Sequence, residues 1–414
     1  MQTEAAADSP AATAEAPERG FRSLARNSAV AALAVVGNGA LSAAILALCS
    51  SLGQTDEIAA YAVVTAAMAF VAIFLAGGSP LLYLNGTDEQ RALVRSQWAF
   101  VVLPGLLIGS IAVAAFYAWR GYDVAALAAA CVVVLGNGLA QLQTADFSRR
   151  MRFLSSALLL CGSKAASLLM VLAGAPLTVA LGVMGLVQIV VGEAILGRLG
   201  RFRRAIVGRP SVSGAVTAYR SSWHLFGYAV GDLYVIRAPT VVLSILATPA
   251  VMGSFGAVVT AYQAIGGVVQ SALQVPMAAR ARDRLGIERS KHPAGFSIAV
   301  GLVGAIPGAI TVALLAPWLT GRLLKLPDPD AATWLTVFMI GLPFLAVTRA
   351  LMFNWIGDAQ YGRATRAVFV LAAVQAVTVA VGVPWLGARG AAGATAAAEV
   401  VAMLVIVAFF TRRR

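Results

Sequence analysis

The chain has 414 residues, 60% hydrophobic and 12% charged, with a mean hydropathy of +0.83 and a formal net charge of +13. A soluble globular domain carries about 25% charged residues, so this composition excludes an ordinary water-soluble fold. Cys49, Cys131 and Cys161 all fall within apolar runs, which excludes a disulfide framework.

Residues 1–20, rich in Ala, Glu and Thr, are expected to be a disordered cytoplasmic tail. Beyond them the apolar residues come in runs of about 20, the length a helix needs to cross the hydrocarbon core. Backbone groups in lipid must bond within their own segment, and these runs do not alternate in polarity, so helices are expected and strands are not. Twelve spans follow in order: Asn27–Ser50, Ile58–Gly77, Ser96–Trp119, Val124–Thr144, Phe153–Gly174 and Pro176–Leu196, then Trp223–Leu246, Ala250–Val275, Phe296–Leu319, Ala331–Trp355, Arg366–Leu386 and Gly390–Phe410. The fold class expected is an all-α integral membrane protein.

The basic residues give the spans a direction. Of the 31 Lys and Arg, 24 fall in the tails and the loops on the N-terminal side, 4 in the opposite loops and 3 within spans. The positive-inside rule then places both termini in the cytoplasm of an inner membrane. A wrong span count would scramble this asymmetry beyond the error. The longest basic loop, 198–222, divides the chain into halves at 21–197 and 223–411. Ala62-Val63-Val64-Thr65-Ala66 in span 2 recurs as Ala257-Val258-Val259-Thr260-Ala261 in span 8. Six spans separate the copies, so the halves keep one orientation, as parallel repeats around a central substrate path do.

Charges inside a membrane cost about 2.5–3.5 kcal/mol on insertion scales and need a reason. Arg237, Asp232 and Lys164 are candidates to line a hydrated cavity, and Asp232 and Glu399 are candidates to couple an ion. Lys164 and Glu399 are equally read as neutralising each other. Asp232 and Arg237 lie about 140° apart around a helix, which excludes an ideal pair on one helix. Arg349 and Glu193, nearer the inner ends, read as snorkelling side chains. Pro239 interrupts span 7 and is a candidate hinge. Asn38, within Gly37-Asn38-Gly39, is a candidate cavity residue as much as a packing one, whereas Asn137 in Gly136-Asn137-Gly138 reads as packing. Gln263, Gln270 and Gln274 share a stripe on span 8 that reads as one wet face or as an interhelical hydrogen-bond seam. His224 and His292 are far apart with no carboxylate beside either, so no metal site, catalytic residue or cofactor is expected.

Gly231-Asp232 early in span 7, and Gly253-Ser254-Phe255-Gly256-Ala257 opening span 8, resemble the polysaccharide flippases of the multidrug/oligosaccharidyl-lipid/polysaccharide exporter superfamily. The likeness covers about residues 20–410, with Phe255 in place of the usual tyrosine of a G-x-Y-x-x-A entry. It implies flipping of a lipid-linked oligosaccharide on a polyprenyl-phosphate carrier across the inner membrane by alternating access, for surface polysaccharide synthesis. It also implies a polysaccharide polymerase, glycosyltransferases and membrane lipids as partners, and no nucleic acid. Arg237 would contact the anionic head group. The alternative is a cation-coupled multidrug or metabolite exporter of the same fold. A membrane glycan transferase or polymerase is the reading from another class. The longest outer loop, Thr320–Asp330, holds Arg322, Lys325, Asp328 and Asp330 but is short for catalytic machinery.

Overall fold

A computed structural model describes residues 21–52, 74–119, 121, 124–197, 209–287, 294–324, 326 and 328–410. The helices are α1 (Phe21–Ser51), α2 (Ser79–Asn85), α3 (Asp88–Gln97), α4 (Leu103–Trp119), α5 (Val124–Arg149), α6 (Phe153–Leu172) and α7 (Leu177–Gly197). Then come α8 (Val212–Leu246), α9 (Pro249–Arg284), α10 (Ala294–Trp318), α11 (Ala331–Gly357) and α12 (Tyr361–Phe410). Single π turns, Trp98–Val102 and Leu319–Leu323, extend α3 into α4 and prolong α10. Eight of the described helices, counting α3 with α4, are long and apolar enough to cross a membrane. Most of span 2, and with it the first copy of the internal repeat, lies outside the described residues.

The helices form two bundles. In the first, α5 packs on α4 and α7, and α6 packs on α1 and α7. In the second, α11 is the hub between α9, α10 and α12, and α8 lies along α12. The two bundles meet where α9 packs along α1 and where α8 packs on α2 and α3.

Small residues permit the closest approaches, which is how helices associate where lipid removes the hydrophobic drive. A Cβ placed at Gly136 would lie 2.5 Å from the carbonyl oxygen of Gly185, so α5 and α7 touch backbone to backbone. Gly136-Asn137-Gly138 is in part the packing motif expected. Left-handed glycines make several of the described turns, and two of these turns shape the spans. Gly77 and Gly78 (φ 57° and 77°) form the turn before α2, against Tyr219 and the backbone of Leu225. Gly387 (φ 56°) breaks α12 into two spans, within the expected gap between Leu386 and Gly390.

Several helices outrun the expected spans at the arginine-rich end. α3 begins at Asp88 rather than Ser96, α8 at Val212 rather than Trp223, and α9 continues to Arg284 rather than ending at Val275. Hydropathy marks only the part of a helix that lies in hydrocarbon. The polar turns beyond are held by caps: Thr87 and Gln90 form a reciprocal capping box, and the Ser211 hydroxyl accepts from the Gly214 N–H.

Candidate functional site

Among the described residues, each bundle contributes to a cavity of interest. The second bundle's is the smaller, about 140 Å³, and the charged residues gather there. Arg349 on α11 is 1% exposed. Its guanidinium pairs with the Asp232 carboxylate of α8, and its Nη1 donates to the Tyr228 hydroxyl at 3.2 Å. Tyr228 and Asp232 are four apart and share a face of α8, so one helix presents both groups to Arg349. Glu399 of α12 is also 1% exposed, lines the same cavity, and interacts through space with both Arg349 and Asp232. Three enclosed polar atoms around this cavity make no hydrogen bond: Glu399 Oε2, Arg349 Nε and the Tyr262 hydroxyl.

The wall is built around Pro239 and an aromatic stack. Pro239 lacks an N–H, which loosens the preceding turn of α8, and Gln263 Nε2 donates to the Ile236 carbonyl there at 3.4 Å. Tyr262 stacks on Phe338 at 4.9 Å between ring centroids, and Phe255 packs edge-on against Trp334 and tilted against Phe338. Phe255 therefore works here as a buried packing ring. Gln375 donates to the Thr395 hydroxyl at 3.2 Å, one turn from Glu399. A cavity this small suits ions and waters, because drug-sized ligands occupy roughly 300–1,000 Å³.

The first bundle's cavity has that larger size, about 580 Å³. Asn137, Gln141, Thr144 and Ser148 line it from α5, Ser156 from α6 and Gln188 from α7. Ser271 and Gln274 reach it from α9, the helix between the bundles. Among the described residues no charged side chain lines it.

The expected site residues divide between these places. Asp232, Glu399, Gln263, Gln270 and Pro239 belong to the charged cavity or its cluster, and Gln274 belongs to the neutral one. The glutamine stripe of α9 thus faces two cavities. Arg237 and Asn38 are half-buried and line neither. Asn137, read from the sequence as packing, lines the larger cavity. Arg349, expected to snorkel, is instead enclosed in an ion pair, because its carboxylate comes from α8, more than a hundred residues away in sequence. Glu399 faces Arg349, not Lys164. Lys164 sits on α6 in the other bundle and makes no ion pair among the described residues. The side chain of Glu193 lies outside the described residues. Among the described residues no group of His, Cys, Asp and Glu is placed to hold a metal.

The sequence reading missed Tyr228, Tyr262 and the neutral lining of α5 and α7. Gln141, Thr144 and Ser148 repeat at helical spacing toward and just beyond the end of span 4, and Gln188 is a lone amide in an apolar helix; both signals are present in the sequence.

No family model matches the chain, and no curated protein matches it. Solved structures do. A mutant of the Vibrio cholerae MATE transporter VcmN superposes with a TM-score of 0.70 at 12% identity, covering 94% of this chain and 96% of that one. A MOP superfamily transporter from Pyrococcus furiosus gives 0.67 at 14% identity, covering 95% of each chain. The eukaryotic MATE transporter AtDTX14 gives 0.61 at 14% identity, covering 94% of this chain and 97% of that one. Nearly the whole chain therefore has the twelve-helix fold of MATE-type membrane transporters.

Proposed function

We propose that the protein is a cation-coupled exporter of small molecules, with the second bundle's charged cavity as the coupling site and the first bundle's cavity as the cargo site. The observation that carries this is Glu399: an enclosed carboxylate with an unpartnered oxygen, lining a cavity beside the Asp232–Arg349 pair. With Asp232 and Glu399 ionised and Arg349 cationic, the cluster bears one net negative charge. Binding a proton or a metal cation at Glu399 cancels it, and releasing the cation restores it. A neutral cluster and a charged one favour different packings of α8, α11 and α12, which is how an ion gradient can bias alternating access. Pro239, beside this cavity, supplies a weak point at which α8 can bend.

The cargo assignment rests on size and composition, since the larger cavity is of small-molecule volume and lined by hydrogen-bonding side chains. The fold shared with MATE transporters supports export. A lipid-linked oligosaccharide as cargo relied on Arg237, which lines neither cavity, so the small-molecule reading takes first place.

The test is efflux from cells expressing the chain against a panel of metabolites and dyes. Export of at least one compound should stop when the proton and sodium gradients are dissipated, and should stop equally in Glu399→Gln with the gradients intact. Export that survives either change sinks the coupling assignment.

A further inference from the structure

The larger cavity joins a polar wall to an absence of charge, and that combination selects among cargoes. Asn137, Gln141, Thr144 and Ser148 of α5 line it at spacings of four, three and four residues. They therefore share one stripe about 16 Å long, enough to meet several polar groups of one molecule. Gln188 of α7 and Gln274 of α9 add amides from two further helices. An amide side chain both donates and accepts, so this wall matches groups of either kind. Gln188 is 3% exposed and its Oε1 makes no hydrogen bond, which leaves a buried acceptor on the wall open to an entering donor. The apolar part of the lining includes Ala34 and Val35 of α1, Leu81 and Leu84 of α2 and Leu106 of α4.

Ions find no compensation there. Among the described residues no Asp, Glu, Lys, Arg or His lines the cavity. Ile58–Ile73, the apolar run of span 2 that lies outside the described residues, contains none of these either. Aromatic faces are the other means of holding an organic cation, and among the described residues the lining has one aromatic ring, the buried Phe153. An ion entering this cavity gives up water without gaining a counter-charge. An uncharged molecule gives up only hydrogen bonds, which the amides and hydroxyls replace.

We propose that this cavity takes uncharged amphipathic cargo, a neutral molecule whose hydroxyl or amide groups pair with the α5 stripe and Gln188 while its apolar part lies against α1, α2 and α4. Charge then has separate places in the molecule: the coupling ion belongs to the second bundle, and the cargo brings none into the first. The inference rests on the cargo site proposed above and narrows it.

Three dansyl compounds of one skeleton provide the probe: dansyl-glycinamide is uncharged at neutral pH, dansyl-glycine anionic and dansyl-ethylenediamine cationic. Their binding to the full chain in phosphatidylcholine nanodiscs is read from dansyl fluorescence, with empty nanodiscs subtracted and no gradient applied. Dansyl-glycinamide should bind about 10-fold more tightly than either ion, or better. Gln141 is an exposed residue of the wall, so a charge placed there is tolerated. Gln141→Glu should shift the preference toward the cation and Gln141→Lys toward the anion, each by about 5-fold, the size of a partly solvated ion pair. Ser156→Trp, which fills the cavity, should remove binding of all three compounds. Glu399→Gln should bind as the parent does, so a failure of coupling is distinguishable from a failure of this site. Equal or tighter binding of either ion, abolished by Ser156→Trp, would overturn the preference for uncharged cargo and leave the cargo site standing. Binding unchanged in Ser156→Trp and in both monodisperse Gln141 variants would overturn the cargo site as well, by placing the compound elsewhere. No binding of dansyl-glycinamide by the unaltered protein would also overturn the proposal.

Discussion

Arg349 is the residue on which the second bundle depends most. It is enclosed by α8, α11 and α12, and its charge is compensated by Asp232, with Glu399 close by. Removing one partner of a buried pair leaves an uncompensated charge and costs about 3–5 kcal/mol, whereas replacing both by apolar or neutral groups is often nearly neutral. Arg349→Met should therefore lower the thermal stability of the detergent-solubilised protein sharply, and Arg349→Met with Asp232→Asn should recover most of the loss. Thermal unfolding of the two variants checks this; equal destabilisation would show that the pair is not the cause. The sequence revealed that Asp232 and Glu399 needed a reason for lying inside a membrane. It did not reveal their partner, because insertion cost measures the depth of a charge and not its neighbours. Arg349 read as snorkelling for the same reason, since its distance from a helix end is visible in the sequence and the helices packed around it are not.

At the scale of elements, close helix crossings carry the first bundle. Gly136 and Gly185 bring α5 and α7 into backbone contact. A leucine at Gly136 has no room, and overpacking of this kind costs about 1–3 kcal/mol or more. Gly136→Leu should thus unfold at a lower temperature than the parent, whereas Gly162→Leu, where a Cβ meets nothing within 4 Å, should unfold near the parental temperature. Most element boundaries toward the end opposite the arginines were legible, because turn signals and hydropathy coincide there: α7, α11 and the Gly387 break agree with the expected spans to within two residues. The extensions of α3, α8 and α9 were not, because those turns are polar and helical at once. The glutamines of α9 illustrate a finer limit. Gln263 and Gln274 share a stripe by periodicity, yet they are about 16 Å apart along the helix and open onto different cavities.

Across the whole molecule, the two bundles are joined at the arginine-rich end through helix C-termini. Arg282 Nη1 donates to the Arg149 carbonyl at 2.8 Å, and Arg284 donates to the Asn85 carbonyl. Arg284 also reaches Gly357 through its Nε at 3.1 Å, and Arg149 holds the Leu84 and Gly86 carbonyls at 3.0 Å each. Terminal carbonyls carry partial negative charge and lack intrahelical partners, so cations there are favourable. Arg282 and Arg284 of the second bundle thus cap helices of the first, and these contacts must part if the molecule is to open at this end. In the double variant Arg282→Gln, Arg284→Gln, a cysteine introduced at Ser148 should react faster with a membrane-impermeant maleimide added from that side. An unchanged labelling rate would mean the contacts do not hold the end shut. The basic bias that gives the chain its direction in the sequence thus also supplies this closure, a second role that counting charges could not show.

The account stands on Glu399 coupling a cation to cargo movement, and counter-flux tests that most directly. The purified protein is reconstituted in liposomes with a proton- or sodium-sensitive dye inside, a transported compound is added, and cation movement is recorded. The account predicts cargo-dependent cation flux in the parent protein and none in Glu399→Gln, with cargo binding retained. Cargo-driven flux of the same size in both proteins, or cargo transport with no cation movement, would contradict it.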